Sequence, residues 1–409
     1  RILETPVTWV QFESHLKEAL GTDARLGDNK AVIDIGEGIG FASRCGLITC
    51  DWVGAAEGET LPKRVVLKIP SSLPFRKLTA SLPAAQRVSD GDDEYWAAME
   101  GNLRNLHHTE VASYDFFEEF EGLSVPRCFY AKRFEDQIGG QICLEYMENS
   151  RMMNFHERHT VGEMKQVARA LGKLHACSFK KEPSAPDVIN AAFFSHFYTS
   201  RTAAYAKMFL GVLAVDSSEK TKQLMASIDA ILPDYADTNL PITIHRQMGI
   251  RPVLVNGDLR TGNVLLNAES GDLAALIDWQ CTHLGVGVED LHRLALFALS
   301  SADRRASMPM LVEEMYNSMV ADLDGVEPPY SLDTLMLLSD LLFPHCALFF
   351  AGACIALIQA QQKNPRLSDE EKLSRKEIVL DKVLGALVDV LDIHDDNKNR
   401  NGNIKFKFE

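Results

Sequence analysis

The stretch that most constrains this chain is "VNGDLRTGNVLLN", residues 255–267, followed by "AESGDLAALIDWQ". Val253, Leu254 and Val255 lead into it and Val264, Leu265 and Leu266 leave it, which predicts a strand, a tight loop and a second strand. Gly257 and Gly262 free the loop backbone, so Asp258 and Asn263 can point toward one spot. Ala268 to Asp272 is a turn-rich break between two apolar runs, the pattern of a β-hairpin. A hairpin returns the chain to its base, so the strand ending at Asp278 should bring that carboxylate back beside Asn263. Taken alone, such a loop is more often a polar turn whose Asp and Asn bond nearby backbone. Together the three side chains form an oxygen-rich set suited to Mg²⁺, which takes one or two carboxylates and fills its remaining positions with phosphates and water. Phosphoryl transfer needs such a metal, and a further carboxylate to receive the proton of the acceptor hydroxyl.

Composition narrows the partners. The chain has 409 residues, enough for two or three lobes, and 46% hydrophobic with 24% charged residues excludes a mainly disordered protein. A formal charge of -15 gives no general attraction to nucleic acid or to an anionic membrane, and no basic patch offsets it. A small-molecule alcohol is the expected substrate; oligomeric state is not legible. The eight cysteines are scattered without a CxxC pair, as expected of free thiols in a reducing compartment. No signal peptide opens the chain, which begins at arginine, and a cytoplasmic location is expected. Residues 341–358, "LLFPHCALFFAGACIALI", reach the minimum length of a membrane span but contain Pro344 and His345, so a buried helix is expected instead.

Along the chain, Thr8 to Leu20 reads as a helix, with a Thr8/Gln11 capping box, a Val7/Phe12 staple and Gly21 as its stop. Strand-like runs at Cys45 to Val53 and Val65 to Ile69, a helical stretch from Tyr95 to Phe120 and "GGQICLEYM" complete an α+β unit over residues 1–146. Residues 147–394 are mostly helical, opening with a Thr160/Glu163 capping box, and His175 there is expected to be a core histidine. Residues 395–409 lack a core face and are expected to form a mobile tail.

The first unit also offers parts that could hold donor phosphates. Gly36, Gly38 and Gly40 precede a strand, and alternate glycines let backbone amides approach a phosphate, although a ligand-free turn would look the same. Lys68 is a charge in an apolar strand, and Glu110 is the candidate helix partner that would aim it; each could instead simply face solvent. Leu144 to Met147 would be the hinge, with Glu145 and Met147 meeting an adenine edge. Glycine-rich loop, strand lysine, helix glutamate, DxxxxN loop, hairpin and aspartate is the order of parts in protein-kinase-like enzymes.

The segments "ALGTDARLGDNKAVIDIGEGIGFAS", "LPKRVVLKIPSS", "VLVNGDLRTGNVLL", "LIDWQCTHLGVGVEDLHRL", "SSADRRASMPMLVEEMYNSM" and "PPYSLDTL" resemble the nematode CHK-kinase-like family, which is related to ecdysteroid kinase-like proteins and to choline and aminoglycoside kinases. The resemblance spans nearly the whole chain. It implies a two-lobed protein-kinase-like fold, with a β-rich N-lobe and a helical C-lobe, and ATP-dependent phosphorylation of a small-molecule hydroxyl with Mg²⁺. By position, Asp258 resembles the catalytic base, Asn263 and Asp278 the metal ligands, and Lys68 the phosphate-binding lysine. Two positions depart from the family: its His-Gly-Asp is Asn256-Gly257-Asp258 here, and Arg260 replaces its tryptophan. The first bears on loop geometry and the second on substrate choice. Glu289 and Asp290 could bond the catalytic loop or cap the following helix. The alternative expectation is a nucleotide-binding pseudokinase acting as a regulatory module.

Overall fold

A computed structural model describes residues 1–36, 42–80, 93–135, 139–183, 185–189, 201–235 and 240–400. The chain divides into two compact units. The first is Arg1–Glu148 with Pro183–Phe193 and Trp279–Cys281; the second is Asn149–Glu182, Phe194–Asp278 and Thr282–Glu409. The expected boundary at 146/147 therefore lies close to the end of the first unit's main segment. The two short insertions into that unit are invisible to a reading that cuts a chain only once.

In the first unit, helix α1 (Trp9–Leu20) starts at the Thr8 and Gln11 capping box and stops at Gly21, whose φ of 64° is the left-handed conformation glycine accepts. Its Phe12 and Leu16 pack with Val7, Ile48, Val65 and Leu67. The sheet contains β2 (Ala31–Asp34), β3 (Ser43–Thr49), β5 (Arg64–Pro70), β6 (Cys128–Lys132) and β7 (Gln141–Glu145), in the order β2-β3-β5-β7-β6; β1 (Arg25–Leu26) and β4 (Trp52–Val53) pair separately. All these pairings are antiparallel. In β5, Val65, Leu67 and Ile69 are buried in the core with α1, so the two-residue period of a strand puts Lys68 on the other face. Helix α2 (Leu73–Ala80) follows, and α3 (Asp93–Phe117) packs against β5 and β6.

The second unit starts at β8 (Ser150–Met152) and α4 (Val161–Lys180), whose Thr160/Glu163 capping box forms as expected. Helices α5 (Arg201–Val215), α6 (Glu219–Ile231) and α7 (Leu240–Gln247) precede the loop region. Strand β9 (Val253–Val255) enters the loop, and β10 (Val264–Asn267) with β11 (Leu273–Leu276) forms the expected hairpin. Two pairings were not legible: β9 pairs with β12 (His283–Gly285), and β10 pairs with β8 on its other edge. Helices α8 (Val288–Ala298), α9 (Ser301–Asp322), α10 (Leu332–Gln362) and α11 (Asp369–Arg400) complete the unit.

Helix α10 contains the 341–358 run. It is long and apolar enough to cross a membrane, but 72% of its most apolar window is buried inside the protein, where it packs on α11, α8 and α5. Helix α11 corrects the expected tail: it runs through Arg400, because Val390, His394 and Asn397 continue a buried stripe at helical spacing and Asn397 Nδ2 donates to the Asp340 carbonyl. Residues 401–409 lie outside the described residues. An antiparallel sheet backed by a long helix, and a mainly helical unit carrying a loop and hairpin, make up an α+β protein-kinase-like fold.

Candidate active site

Hydrogen bonds, more than side-chain packing, build the second unit's loop. The Asn263 amide donates to the Arg260 carbonyl at 2.8 Å, and Ile277 N–H donates to the Asn263 carbonyl at 3.0 Å, so the end of the hairpin is tied to its start. Asn263 Nδ2 donates to the Asp258 carbonyl at 2.8 Å, which turns its Oδ1 the other way. Asn256, fully buried, uses both ends of its side chain: Oδ1 accepts from Asp258 N–H at 3.1 Å, and Nδ2 donates to the Asp278 carbonyl at 3.1 Å. Two residues sit at positive φ. Gly257 at 80° pays nothing special as glycine, whereas Asp278 at 63° is a strained position costing about 1 kcal/mol that its surroundings must hold in place.

Beneath the loop lies a second layer of buried charge. Both carboxylate oxygens of Asp290 accept backbone N–H groups, from Asn256 at 2.7 Å and Gly257 at 2.9 Å. Helix α8 is capped at Gly287 without a side-chain bond, so of the two expected roles Asp290 takes the loop-bonding one. Burial pushes its carboxyl up to about 7, with the neighbouring Glu289 charge adding. Burial alone would also raise Glu289, but Arg293 and His283 outweigh it and bring Glu289 down to about 2. Arg293 Nε donates to Glu289 at 2.8 Å, and His283 Nε2 lies 3.1 Å from it. His283 is on β12, the partner of β9, so the network also anchors the strand that enters the loop.

Asp258 is partly exposed, and Arg260 Nε lies 3.6 Å from its Oδ2. Desolvation pushes the Asp258 carboxyl up to about 6; Arg260 opposes the rise and the Asp278 charge reinforces it. A carboxylate in that range is suited to accepting a proton near neutral pH.

The first unit holds the other candidate group. Lys68 Nζ and Glu110 Oε2 form an ion pair of 2.6 Å, with side chains 11% and 2% exposed. Glu110, the expected helix partner of Lys68, makes the pair. Glu110 Oε1 also accepts from the Trp279 N–H at 3.3 Å. The buried Trp279 ring stands edge-on against Phe117, centroids 4.7 Å apart.

Other expected positions vary. Gly36 follows β2 and donates its N–H to Asp34 Oδ1 at 2.9 Å, whereas Gly38 and Gly40 lie outside the described residues. Glu145 ends β7 with its N–H given to the Arg127 carbonyl at 2.8 Å, so that amide is not a donor for an adenine edge; Met147 follows, just before the main segment ends. His175 is a core histidine, as expected: 1% exposed, pushed down to about 3 by burial, and so close to Gly287 that a Cβ there would lie 2.0 Å from its Cε1. Among the described residues, no group of three or more His, Cys, Asp or Glu could hold a metal ion. The two hydrogen bonds of Asn256, the Arg260–Asp258 pair and the place of His283 were not legible in the sequence. Charged residues at 289, 290 and 293 in an otherwise apolar helix were the available signal for the buried network.

The fold is of the protein-kinase-like kind. The family model for DUF1679, described as "Uncharacterized oxidoreductase dhs-27", matches residues 1–398, and the chain belongs to that family. An uncharacterized kinase-like protein of Caenorhabditis elegans, D1044.1, is 23% identical over 224 residues, which is 53% of this chain and 57% of that protein. The chain thus matches little more than half the length of this curated relative. Among solved structures, a Ralstonia eutropha protein described as a candidate aminoglycoside phosphotransferase is 8% identical with a TM-score of 0.44, covering 93% of this chain and 97% of its own. The GDP complex of wild-type aminoglycoside 2'-phosphotransferase-IIIa is 12% identical with a TM-score of 0.42, covering 96% and 100%. These structures are too distant to carry a substrate or a mechanism to this chain.

Proposed function

We propose that the protein is an ATP-dependent phosphotransferase of the CHK-kinase-like kind, acting on a hydroxyl of a small molecule with Mg²⁺. The observation that carries this reading is the fixed loop of Asp258 and Asn263 tied to Asp278 by hydrogen bonds at both ends of the hairpin. Asp258 orients the acceptor hydroxyl and takes its proton while that oxygen bonds the γ-phosphorus and the bond to the ADP oxygen breaks. The Asn263 Oδ1, turned away from Asp258 by the Nδ2 bond, and the Asp278 carboxylate are hard oxygen donors that fit Mg²⁺. When bound there, the metal supplies neutralisation of phosphate charge. Lys68, aimed by Glu110, steadies the donor phosphates. Asn256 and Asp290 position the loop without touching substrate.

The family description names an oxidoreductase, but every strand pairing among the described residues is antiparallel. A dinucleotide-binding doubly wound unit needs a parallel sheet with its phosphate-binding turn at a helix N-terminus. Phosphoryl transfer accounts for the buried lysine and the Asp/Asn/Asp set, which hydride transfer does not require. The test incubates the full chain with γ-labelled ATP, Mg²⁺ and a metabolite extract. Metal-dependent label in a small molecule supports the reading. Nucleotide binding with no transfer supports the pseudokinase alternative, and neither binding nor transfer sinks both.

A further inference from the structure

We infer that Arg260 is a specificity-determining residue, and that the acceptor carries an anionic group, such as a carboxylate, phosphate or sulfate, close to the hydroxyl that is phosphorylated. This rests on the phosphotransferase reading above. Arg260 lies two residues after Asp258, with its inner nitrogen Nε 3.6 Å from Asp258 Oδ2. A hydroxyl held by Asp258 at hydrogen-bond distance therefore brings its neighbouring substituents up to the guanidinium.

The side chain is not a buried staple. It is 33% exposed, whereas the residues that hold the loop, Asn256, Asn263 and Asp290, are almost fully buried. Its outer nitrogens make no ion pair among the described residues, and one of them, Nη1, lies so close to Gly262 that a Cβ there would sit at 2.6 Å. Gly262 thus leaves room for the guanidinium to lie along the turn between Asp258 and Asn263. An arginine presents up to five N–H donors in a planar fork suited to carboxylate or phosphate oxygens.

The sign of the preference follows from charge. An amine or quaternary ammonium beside the hydroxyl would be pressed against a permanent cation, and a neutral group would offer the outer N–H donors no charge-assisted acceptor in place of water. The overall charge of -15 does nothing to attract an anion, so discrimination in its favour must be local. In the proposed reading Asn263 and Asp278 face the donor phosphates, which leaves Arg260 for the acceptor.

The experiment uses the full chain, γ-labelled ATP and Mg²⁺ with a metabolite extract sorted by ion exchange into anionic, neutral and cationic fractions. Label transferred to a compound of the anionic fraction is expected. Transfer only to a neutral or cationic compound overturns the inference and leaves the phosphotransferase reading standing; transfer in no fraction overturns that reading and the inference with it. With the acceptor purified from the anionic fraction, Arg260→Gln should raise its KM by about 10- to 100-fold, the scale of a lost charge-assisted hydrogen bond, and lower kcat less than tenfold. Arg260→Lys should recover part of the loss. A fall in kcat at unaltered KM would place Arg260 on the transferring phosphoryl group and overturn the assignment.

Discussion

The two units fix their chemical groups by different means. In the first, Lys68 and Glu110 are held by one another: two long side chains, one from a strand and one from a helix, meet as a buried ion pair. In the second, Asp258 and Asn263 are held by backbone. Asp290 grips two consecutive loop amides, and Asn256 spans from the Asp258 N–H to the Asp278 carbonyl. A side-chain pair is only as good as both partners, because removing either strips a buried charge of its close counter-ion. A loop gripped through its amides spreads the same task over several weaker bonds, each of which can be lost separately.

Substitutions at four residues break or sharpen that contrast. The largest effect is expected in the first unit. Lys68→Ala or Glu110→Ala alone should destabilise the protein by about 3–5 kcal/mol, while the double variant should cost little more than either single one. Urea unfolding of the four proteins measures this; additive losses would show that the two side chains do not act as a pair. Asp290→Ala should cost about 3 kcal/mol, since it strands two buried loop amides, and should lower turnover along with stability. Stability loss with unchanged turnover would mean that the loop amides do not set the position of Asp258. Asn256→Ala should be the mildest, about 2 kcal/mol for two neutral hydrogen bonds, with turnover reduced and nucleotide affinity retained. An equal fall in affinity would show that the Asn256 bond to the Asp278 carbonyl governs the metal-binding side more than the base.

The same contrast explains what could be read from the sequence. Capping boxes at Thr8 and Thr160 are local, with every partner within a turn of the helix start, and both form as expected. The hairpin from Val264 to Leu276 is local too, and its closure brings Ile277 to Asn263 as its turn residues imply. The Lys68–Glu110 pair joins residues 42 positions apart, so it depends on how α3 packs against β5 rather than on local spacing. The pairing of β9 with β12 was not legible, because three-residue strands carry too little pattern to reveal a partner. The end of α11 was misjudged because Asp395 to Arg400 look polar, although Asn397 is buried through its bond to the Asp340 carbonyl. Asn256 was legible only as bearing on loop geometry; its two side-chain bonds emerge only when Asp258 and Asp278 are both in place.

The most direct test of phosphoryl transfer at this loop is Asp258→Asn, assayed for turnover with γ-labelled ATP and the extract acceptor and, in parallel, for Mg²⁺-nucleotide affinity by calorimetry. Asparagine keeps the shape and the loop bonds but cannot take the proton, and a positioned base contributes about 10²–10⁴-fold. The expected result is a fall in turnover of that size with affinity nearly unchanged. Turnover that survives within a few-fold, or affinity that falls in step with it, would contradict Asp258 as the base.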